Sequence, residues 1–125
     1  MPYLNKPKKN YNRKREKQDI ERKNRQKIYQ SKIWEDIRKA HLMEHPLCEV
    51  SEMMGLTILA EHCHHLISPF NYKGNEMLYY AYSADNLISV SASAHWELHH
   101  GKLKGCYSLE SIKERLIELG EYKPL

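Results

Sequence analysis

The stretch AEHCHHLISP at residues 60–69 and the stretch HWELHHGK at residues 95–102 decide how the rest of this sequence is interpreted. Six of the eight histidines lie in these two stretches. The first belongs to a segment rich in Ile, Leu and Thr, which favours a β-strand over residues 56–67. The second predicts a helix, because Ser91 or Ser93 can cap its start.

The helical stretch places two histidines four residues apart. His95 and His99 therefore share one helix face and can reach a single metal ion, whereas His100 points elsewhere and is interpreted as a surface residue. A third ligand must come from another element, and the His64–His65 pair is the obvious source. Adjacent strand residues point to opposite faces, so one of that pair should face the metal and the other is free to act as a base.

That division suits hydrolysis of a phosphodiester, in which a metal neutralises developing negative charge and a neutral imidazole takes a proton from water. Either histidine pattern alone is a weak signal. The two together, 30 residues apart from His65 to His95, are a stronger one. A structural zinc held by four histidines is the alternative, although neighbouring His64 and His65 would struggle to reach one ion.

Other elements extend outward from these stretches. Leu87 to Val90 predicts a second strand, and residues 70–86 form a long connection whose tyrosines at 79, 80 and 82 are more readily explained by core packing than by base stacking. Residues 47–55 predict a loop that turns at Gly55. A last helix is expected between Ser108 and Gly120, with a buried stripe of Leu109, Ile112, Leu116 and Leu119.

Upstream, a helix is predicted from Ser31 to about His45, where Pro46 ends it. Its apolar stripe contains Ile33, Trp34, Ile37, His41 and Leu42. The odd number of cysteines (Cys48, Cys63 and Cys106) and the lack of a C-x-x-C pair predict reduced thiols. No apolar run is long enough to span a bilayer, so we expect a cytoplasmic protein with no membrane partner.

The 125 residues are enough for one compact domain. Residues 1–40 hold 14 Lys and Arg against 5 Asp and Glu, while the remainder holds 6 against 11. We therefore expect a basic arm over residues 1–27, disordered in isolation over 1–12 and a solvated helix after that, joined to a domain at 28–125. The arm predicts DNA contacts through Lys8, Lys9, Arg13, Lys14, Arg15, Lys17, Arg22, Lys23, Arg25 and Lys27.

The two histidine stretches, together with DNLISV at residues 85–90, resemble the HNH endonuclease family and its ββα-metal fold. The helical His-x-x-x-His with a following glycine resembles the colicin DNase branch as well as small phage-type HNH proteins. Residues 29–49 resemble the lead-in helix of the phage-type group. The resemblance covers about residues 28–102, and it implies an α+β fold with a ββα core near 56–102, a basic N-terminal helical extension and a C-terminal helix.

The resemblance also implies a role for each matching residue. His65 resembles the general base, His64, His95 and His99 resemble ligands of one divalent metal ion, and Asn86 resembles the asparagine that orients the catalytic histidine. The ion would be Mg, Mn, Ni or Zn, because imidazole ligands suit Zn and Ni while activity in this family can need Mg or Mn.

One departure from the family concerns a structural zinc that many small HNH proteins bind with two C-x-x-C pairs. Here Cys48 and Ser51 stand for the first pair, and Ser91 and Ala94 for the second. No structural zinc held by four cysteines is therefore expected. The resemblance then requires the body to replace it by packing, from Met53, Met54, Val90 and the C-terminal helix stripe.

These observations lead to the expectation of a metal-dependent HNH endonuclease that hydrolyses DNA by nicking or by double-strand cleavage. The alternative is a catalytically inactive DNA-binding module of the same fold. DNA is the expected partner, and the resemblance suggests phage packaging or mobile-element proteins as further partners. A homodimer would allow both strands to be cut.

Overall fold

The computed structural model describes the backbone of residues 5–124 and the side chains of residues 13–124. In this part of the chain, helices and one antiparallel pair of strands make a mixed α+β fold. The helices are α1 (Asn5–Tyr29), α2 (Lys32–Glu44), α3 (Glu49–Met53), α4 (Gly74–Tyr82), α5 (Ala92–His100) and α6 (Leu109–Glu118), and the strands are β1 (His62–His65) and β2 (Leu87–Val90). Short 3-10 turns lie at Pro69–Asn71 and Ala84–Asn86.

The two strands pair with His62 opposite Val90 and His65 opposite Leu87. The second strand lies where the sequence predicts it, but β1 is much shorter than the predicted strand over residues 56–67. Strand structure requires a hydrogen-bonded neighbour, and β2 offers only four residues. Before β1 the chain is held instead by an isolated bridge between Leu47 and Leu59.

The predicted helix caps are confirmed, and two of them start the helices around the main core. The Ser91 hydroxyl accepts a hydrogen bond from Ala94 N and starts α5, which Gly101 follows. Ser108 and Ser111 form reciprocal caps at the start of α6. In α6 the buried side chains are Ile112 and Leu116, whereas Leu109 and Leu119, predicted in the same stripe, are exposed because they lie at the helix ends.

The main core forms between β2, α5 and α6. It contains Val90, Ile112 and Leu116, with Met53 and Met54 packed against it. This is the packing that the sequence required of a body without a structural zinc. Its other buried members are Cys48, Val50, Leu66, Ile88, Ala94, Leu98, Leu103 and Cys106.

Helix α2 begins after Ser31, whose hydroxyl accepts a hydrogen bond from Trp34 N, as predicted. Trp34 and His41 are buried, but Ile33 is 57% exposed, so the predicted stripe is narrower than expected. The predicted loop over residues 47–55 contains the short helix α3. Its Glu49 carboxylate accepts a hydrogen bond from Ser89 N at 2.6 Å and lies 3.4 Å from the His41 ring, which joins α2, α3 and β2.

The long connection predicted at residues 70–86 is wrong in detail, because α4 occupies its middle. Met77 and Ala81, four residues apart, are buried with Ile28 in a second, smaller core. Of the three tyrosines, Tyr79 is exposed, while the Tyr82 hydroxyl lies 3.0 Å from the Ser31 hydroxyl. The aromatic residues around Met77 and Ala81 made their helical spacing difficult to recognise in the sequence.

Helix α1 continues through residues 5–12, which were expected to be disordered, and crosses the predicted boundary at residues 27–28. Pro7 is compatible with this because it lies in the first helical turn, where its missing N–H has no partner to lose. Side chains of residues 13–23 are all exposed, and the helix is anchored at its other end by the buried Ile28. Among the described helices, none is both long enough and apolar enough to span a membrane.

Candidate metal centre

One cavity of about 250 Å³ is lined by four of the five predicted catalytic and metal-binding residues. It lies where β1, α5 and the end of α1 meet, and we call it the histidine cavity. Five histidines contribute to its wall, accompanied by two arginines from the N-terminal helices. Its lining consists of Arg25, Tyr29, Arg38, His62, Cys63, His64, His65, Ser68, Pro69, Phe70, His95 and His99.

Three of these histidines form a group that could hold a metal ion. His64, His95 and His99 each offer one ring nitrogen, and these nitrogens all lie within 4.8 Å of one another. Strand β1 supplies the first and α5 supplies the other two, as the sequence predicts. His100, on the same helix, is exposed and lies outside the group.

The spacing of the nitrogens fits a metal. The Nε2 atoms of His95 and His99 are 3.0 Å apart. Two nitrogens bound to one tetrahedral zinc, each about 2.0–2.1 Å from it, would be separated by roughly 3.3 Å. The helical pair therefore needs little adjustment, and His64 completes three ligands through a small ring movement in an open cavity. Three imidazoles are a donor set that suits zinc, nickel or copper.

The electrostatics of the group keep its rings neutral, which is the form that binds metals. Burial lowers the pKa of His64 to about 3, and the neighbouring His99, His95 and His65 act in the same direction. Burial is also the main cause that lowers the pKa of His95 and of His99. At neutral pH these rings need lose no net proton to bind an ion, but the ring that donates in the hydrogen bond between the Nε2 atoms of His95 and His99 must first carry its proton on Nδ1 instead.

His65 points to the other face of β1 and is held there by two contacts. Its ring stacks on Trp34 with centroids 4.8 Å apart, and its Nε2 lies 3.0 Å from the Ala81 carbonyl oxygen. A carbonyl oxygen only accepts, so Nε2 of the neutral ring donates and the lone pair resides on Nδ1. Burial lowers the pKa of His65, although the bond to Ala81 opposes that shift.

Asn86 clamps the chain immediately after His65. Its Oδ1 accepts a hydrogen bond from Ile67 N, and its Nδ2 donates to the carbonyl oxygens of Ile67 and Tyr80. The side chain is buried and all of these bonds are 2.8–2.9 Å long. Only an amide has both the acceptor and the donors that this arrangement uses. Asn86 thus holds the loop that follows the β1 histidines.

Two arginines bring positive charge to the histidine cavity. Arg25, from the basic arm, lies 5.0 Å from the centre of the Phe70 ring, and its charge contributes to the lowered pKa of His99. Arg38, from α2, lies close enough to Cys63 to oppose the burial that raises the pKa of this thiol to about 12. Sequence reasoning missed Arg38, because only the packing of α2 across β1 brings it to the cavity.

His62 is a further residue that sequence reasoning left without a role. Its ring centre lies 5.1 Å from that of His95, on the cavity side of the sheet. The sequence contained a signal for this position: His62 is two residues before His64, and alternate residues of a strand share a face.

The other predicted DNA contacts whose side chains the structure describes do not reach the cavity. Among the described arm residues, only Arg25 lines it. The others that the structure describes are exposed on α1: Arg13, Lys14, Arg15, Lys17, Arg22, Lys23 and Lys27. The side chains of Lys8 and Lys9 lie outside the described residues.

A second constellation lies where α3 and α5 begin, and we call it the Cys48 corner. It contains Cys48, Ser51, Ser91 and Ala94, all buried. The Cys48 sulfur accepts a hydrogen bond from Ser51 N, as the Ser91 hydroxyl does from Ala94 N. Burial alone would raise the pKa of the Cys48 thiol, but hydrogen bonds from Ser51 and Ser91 outweigh it and leave that pKa below its ordinary value.

The chain was also compared with known proteins. No protein-family model, curated protein or solved structure matches it. What can be said of its function therefore depends on the cavity itself: three histidines able to hold a metal ion, a fourth with a fixed tautomer beside them, and two arginines on the wall.

Proposed function

We propose that this protein is a metal-dependent HNH endonuclease and that the unit β1–β2–α5 is a ββα-metal core. The observation that carries the proposal is the placement of neighbouring His64 and His65 on opposite faces of one strand. His64 joins the two helical histidines, while His65 keeps a ring nitrogen free. This separates a metal ligand from a base within two residues, as hydrolysis of a phosphodiester requires.

The base is His65, acting through Nδ1. Ala81 holds Nε2 in its protonated form, and stacking on Trp34 fixes the plane of the ring. Burial keeps the imidazole neutral, so it can accept the proton of an attacking water at neutral pH. Asn86 holds the loop directly after it and thereby limits how far the ring can shift.

A divalent ion held by His64, His95 and His99 would supply positive charge that stabilises the developing charge on phosphorus and on the leaving oxygen. Zinc and nickel fit the nitrogen donors best, and magnesium or manganese would bind more weakly. Arg25 and Arg38 would orient the scissile phosphate, since both line the cavity and guanidinium groups pair with phosphate oxygens. The water oxygen would attack phosphorus as its proton passes to His65, the bond from phosphorus to the 3′-oxygen would break, and this oxygen would take a proton from solvent; by the family resemblance the products are a 5′-phosphate and a 3′-hydroxyl.

Helix α1 would bind the DNA backbone outside the cavity. From Arg13 to Lys27 it carries eight Lys and Arg against three Asp and Glu, all exposed. Contacts of this kind are salt-dependent and insensitive to base sequence. Arg25 connects the two parts of the interface, since it lies on α1 and also lines the cavity.

The test is cleavage of supercoiled plasmid by the wild type and by His65→Ala, each with Mg, Mn, Ni, Zn or EDTA. We expect metal-dependent conversion to nicked or linear DNA, and a fall of about 10²–10⁴ in rate for His65→Ala, the usual contribution of a general base. His100→Ala is the matched control, because this histidine is exposed and lies outside the metal group.

The opposite result is equally clear. If wild type and His65→Ala were inert with every metal and both still shifted DNA in a gel, the nuclease proposal would fall. The inactive DNA-binding module would then replace it. Cleavage that persisted undiminished in His65→Ala would instead remove His65 from the role of base.

A further inference from the structure

The exposed histidine at the start of β1 has no polar partner that explains it. His62 and His64 share a strand face, and His62 lies across from the first helical ligand, with ring centres of His62 and His95 5.1 Å apart. Within residues 13–124 the His62 ring has no hydrogen bond or ion pair. Four imidazoles, from His62, His64, His95 and His99, therefore line the same cavity; nitrogens of the last three already lie within 4.8 Å of one another, and the His62 ring would have to turn toward them to join the group.

We propose that His62 is a fourth, exchangeable metal ligand that closes the site around a zinc-like ion. The inference rests on the proposed function, because His62 would occupy the coordination position on the ion that the substrate phosphate would need. Four protein ligands make a closed tetrahedral site, whereas a hydrolytic site keeps one position open. With His62 bound the protein would store the ion in a resting form, and with His62 withdrawn the position would be free for substrate.

Exposure makes this exchange feasible. The other three donors are already gathered, because the His64 ring contacts those of His95 and His99 and the two helical nitrogens lie 3.0 Å apart. His62 lies at the first position of β1 and its side chain is exposed, so its ring can rotate away without disturbing the core. A phosphate oxygen and the His62 imidazole would therefore compete for one position.

The proposal also predicts metal selectivity. Imidazole is a good ligand for zinc, nickel, copper and cobalt, whereas magnesium and manganese prefer oxygen ligands. Closure by His62 should therefore strengthen the binding of the first group and leave the second nearly unchanged. A site loaded with magnesium or manganese would keep the fourth position open for substrate.

The experiment measures metal binding without DNA, in the full chain. Zinc affinity is determined by competition with a chromophoric chelator, and the visible spectrum of the cobalt-loaded protein reports the geometry. For His62→Ala we expect zinc affinity to fall at least about tenfold, as it does when a ligand's hydrogen-bond partner is lost, and the intense four-coordinate cobalt absorption to weaken. His100→Ala should match the wild type, and inorganic phosphate should perturb the cobalt spectrum more in His62→Ala.

Two different failures are distinguishable. If His62→Ala binds zinc as the wild type does and its cobalt spectrum is unchanged, His62 is not a ligand, and the three-histidine nuclease site stands without it. If the wild type binds zinc no better than His95→Ala, the metal centre itself is wrong and both proposals fall. His62→Gln provides a second variant that keeps the polarity of the strand start.

Discussion

The histidine cavity and the Cys48 corner occupy similar places in the fold but contain different side chains. Each joins the start or body of α5 to a segment earlier in the chain. In the cavity the nitrogen donors face one another across an open space. In the corner the side chains are buried and satisfied by hydrogen bonds and packing, and only Cys48 offers a metal-binding atom.

A bound metal can either stabilise a fold or act on a substrate, and the difference shows which of these two tasks other residues can take over. A structural metal contributes stability, and stability can be replaced by any well-packed set of side chains. Here the core around Val90, Ile112 and Leu116 supplies it. A metal that acts on substrate has no such substitute, because its charge must be present in the open cavity. We therefore expect metal binding in the cavity to be lost when its nitrogen donors are removed. We expect the corner to gain metal binding when new donor side chains are introduced.

The largest expected effect is a gain at the Cys48 corner. The variant Ser51→Cys/Ser91→Cys/Ala94→Cys would surround Cys48 with three more thiols at positions that already share hydrogen bonds. We expect it to bind one additional zinc, with a free energy on the order of 10 kcal/mol at neutral pH, and to unfold at a higher temperature. Zinc stoichiometry by elemental analysis measures the gain.

Adding Cys48→Ser to that variant is the control, and it should remove the extra zinc. A triple variant that folds and binds no more zinc than the wild type would mean that the corner lacks zinc-site geometry. The comparison between the two constellations, and the family resemblance with it, would then lose this support.

The next effect is a loss in the histidine cavity. His95→Ala and His99→Ala each remove one of the paired nitrogens, and we expect zinc affinity to fall by at least about a hundredfold, more than for the exchangeable His62. Isothermal titration with zinc measures this. His100→Ala, on the same helix, should retain the wild-type affinity; an equal loss there would point to a general effect on α5 rather than to ligation.

A smaller effect is expected at the clamp between the strands. Asn86→Asp keeps the size of the side chain but replaces the donors to Ile67 and Tyr80 by a carboxylate oxygen facing two carbonyls. We expect the free energy of unfolding to fall by about 2 kcal/mol or more, because buried acceptors lose their partner and a charge is buried. Urea denaturation compares it with Asn75→Asp, at an exposed position of α4, for which little change is expected.

The smallest effect, measured per unit of pH, is the pH dependence of stability. The pKa of His64 lies near 3 in the folded protein, chiefly through burial, against an ordinary value of 6.5. Between these values the unfolded chain binds more protons, so the free energy of unfolding should decrease as the pH falls through that window. Denaturation in EDTA across the window measures the slope. His64→Gln should show a shallower slope, and an unchanged slope would assign the effect to other groups.

The elements that the sequence predicted well are those whose ends are defined by residues within or next to the element. Strand β2 lies between turn residues and the Ser91 cap, and α5 and α6 have serine caps with glycine after them, so local chemistry defined their extent. The spacing of His95 and His99, with the alternation of His64 and His65, also predicted which side chains converge. These are short-range rules of helix and strand geometry, and they apply before any packing is known.

What was missed depends on contacts between distant segments. Strand β1 is short because its partner is short, and α4 was obscured because its buried residues, Met77 and Ala81, lie among tyrosines. Arg38 reaches the cavity only through the packing of α2 against the sheet. His62 is a different case, since the alternation that selected His64 also selects it.

The four residues of β1 have another consequence, for changes in chain length. Along this strand the side chains alternate between the two faces, so the proposed ligand His64 and the proposed base His65 are separated by a single step. Inserting or deleting one residue between His62 and His65 would reverse which side chains face the cavity. The proposed base would then face the metal, and a proposed ligand would face the core. The length of this segment is therefore as constrained as the identity of its three histidines.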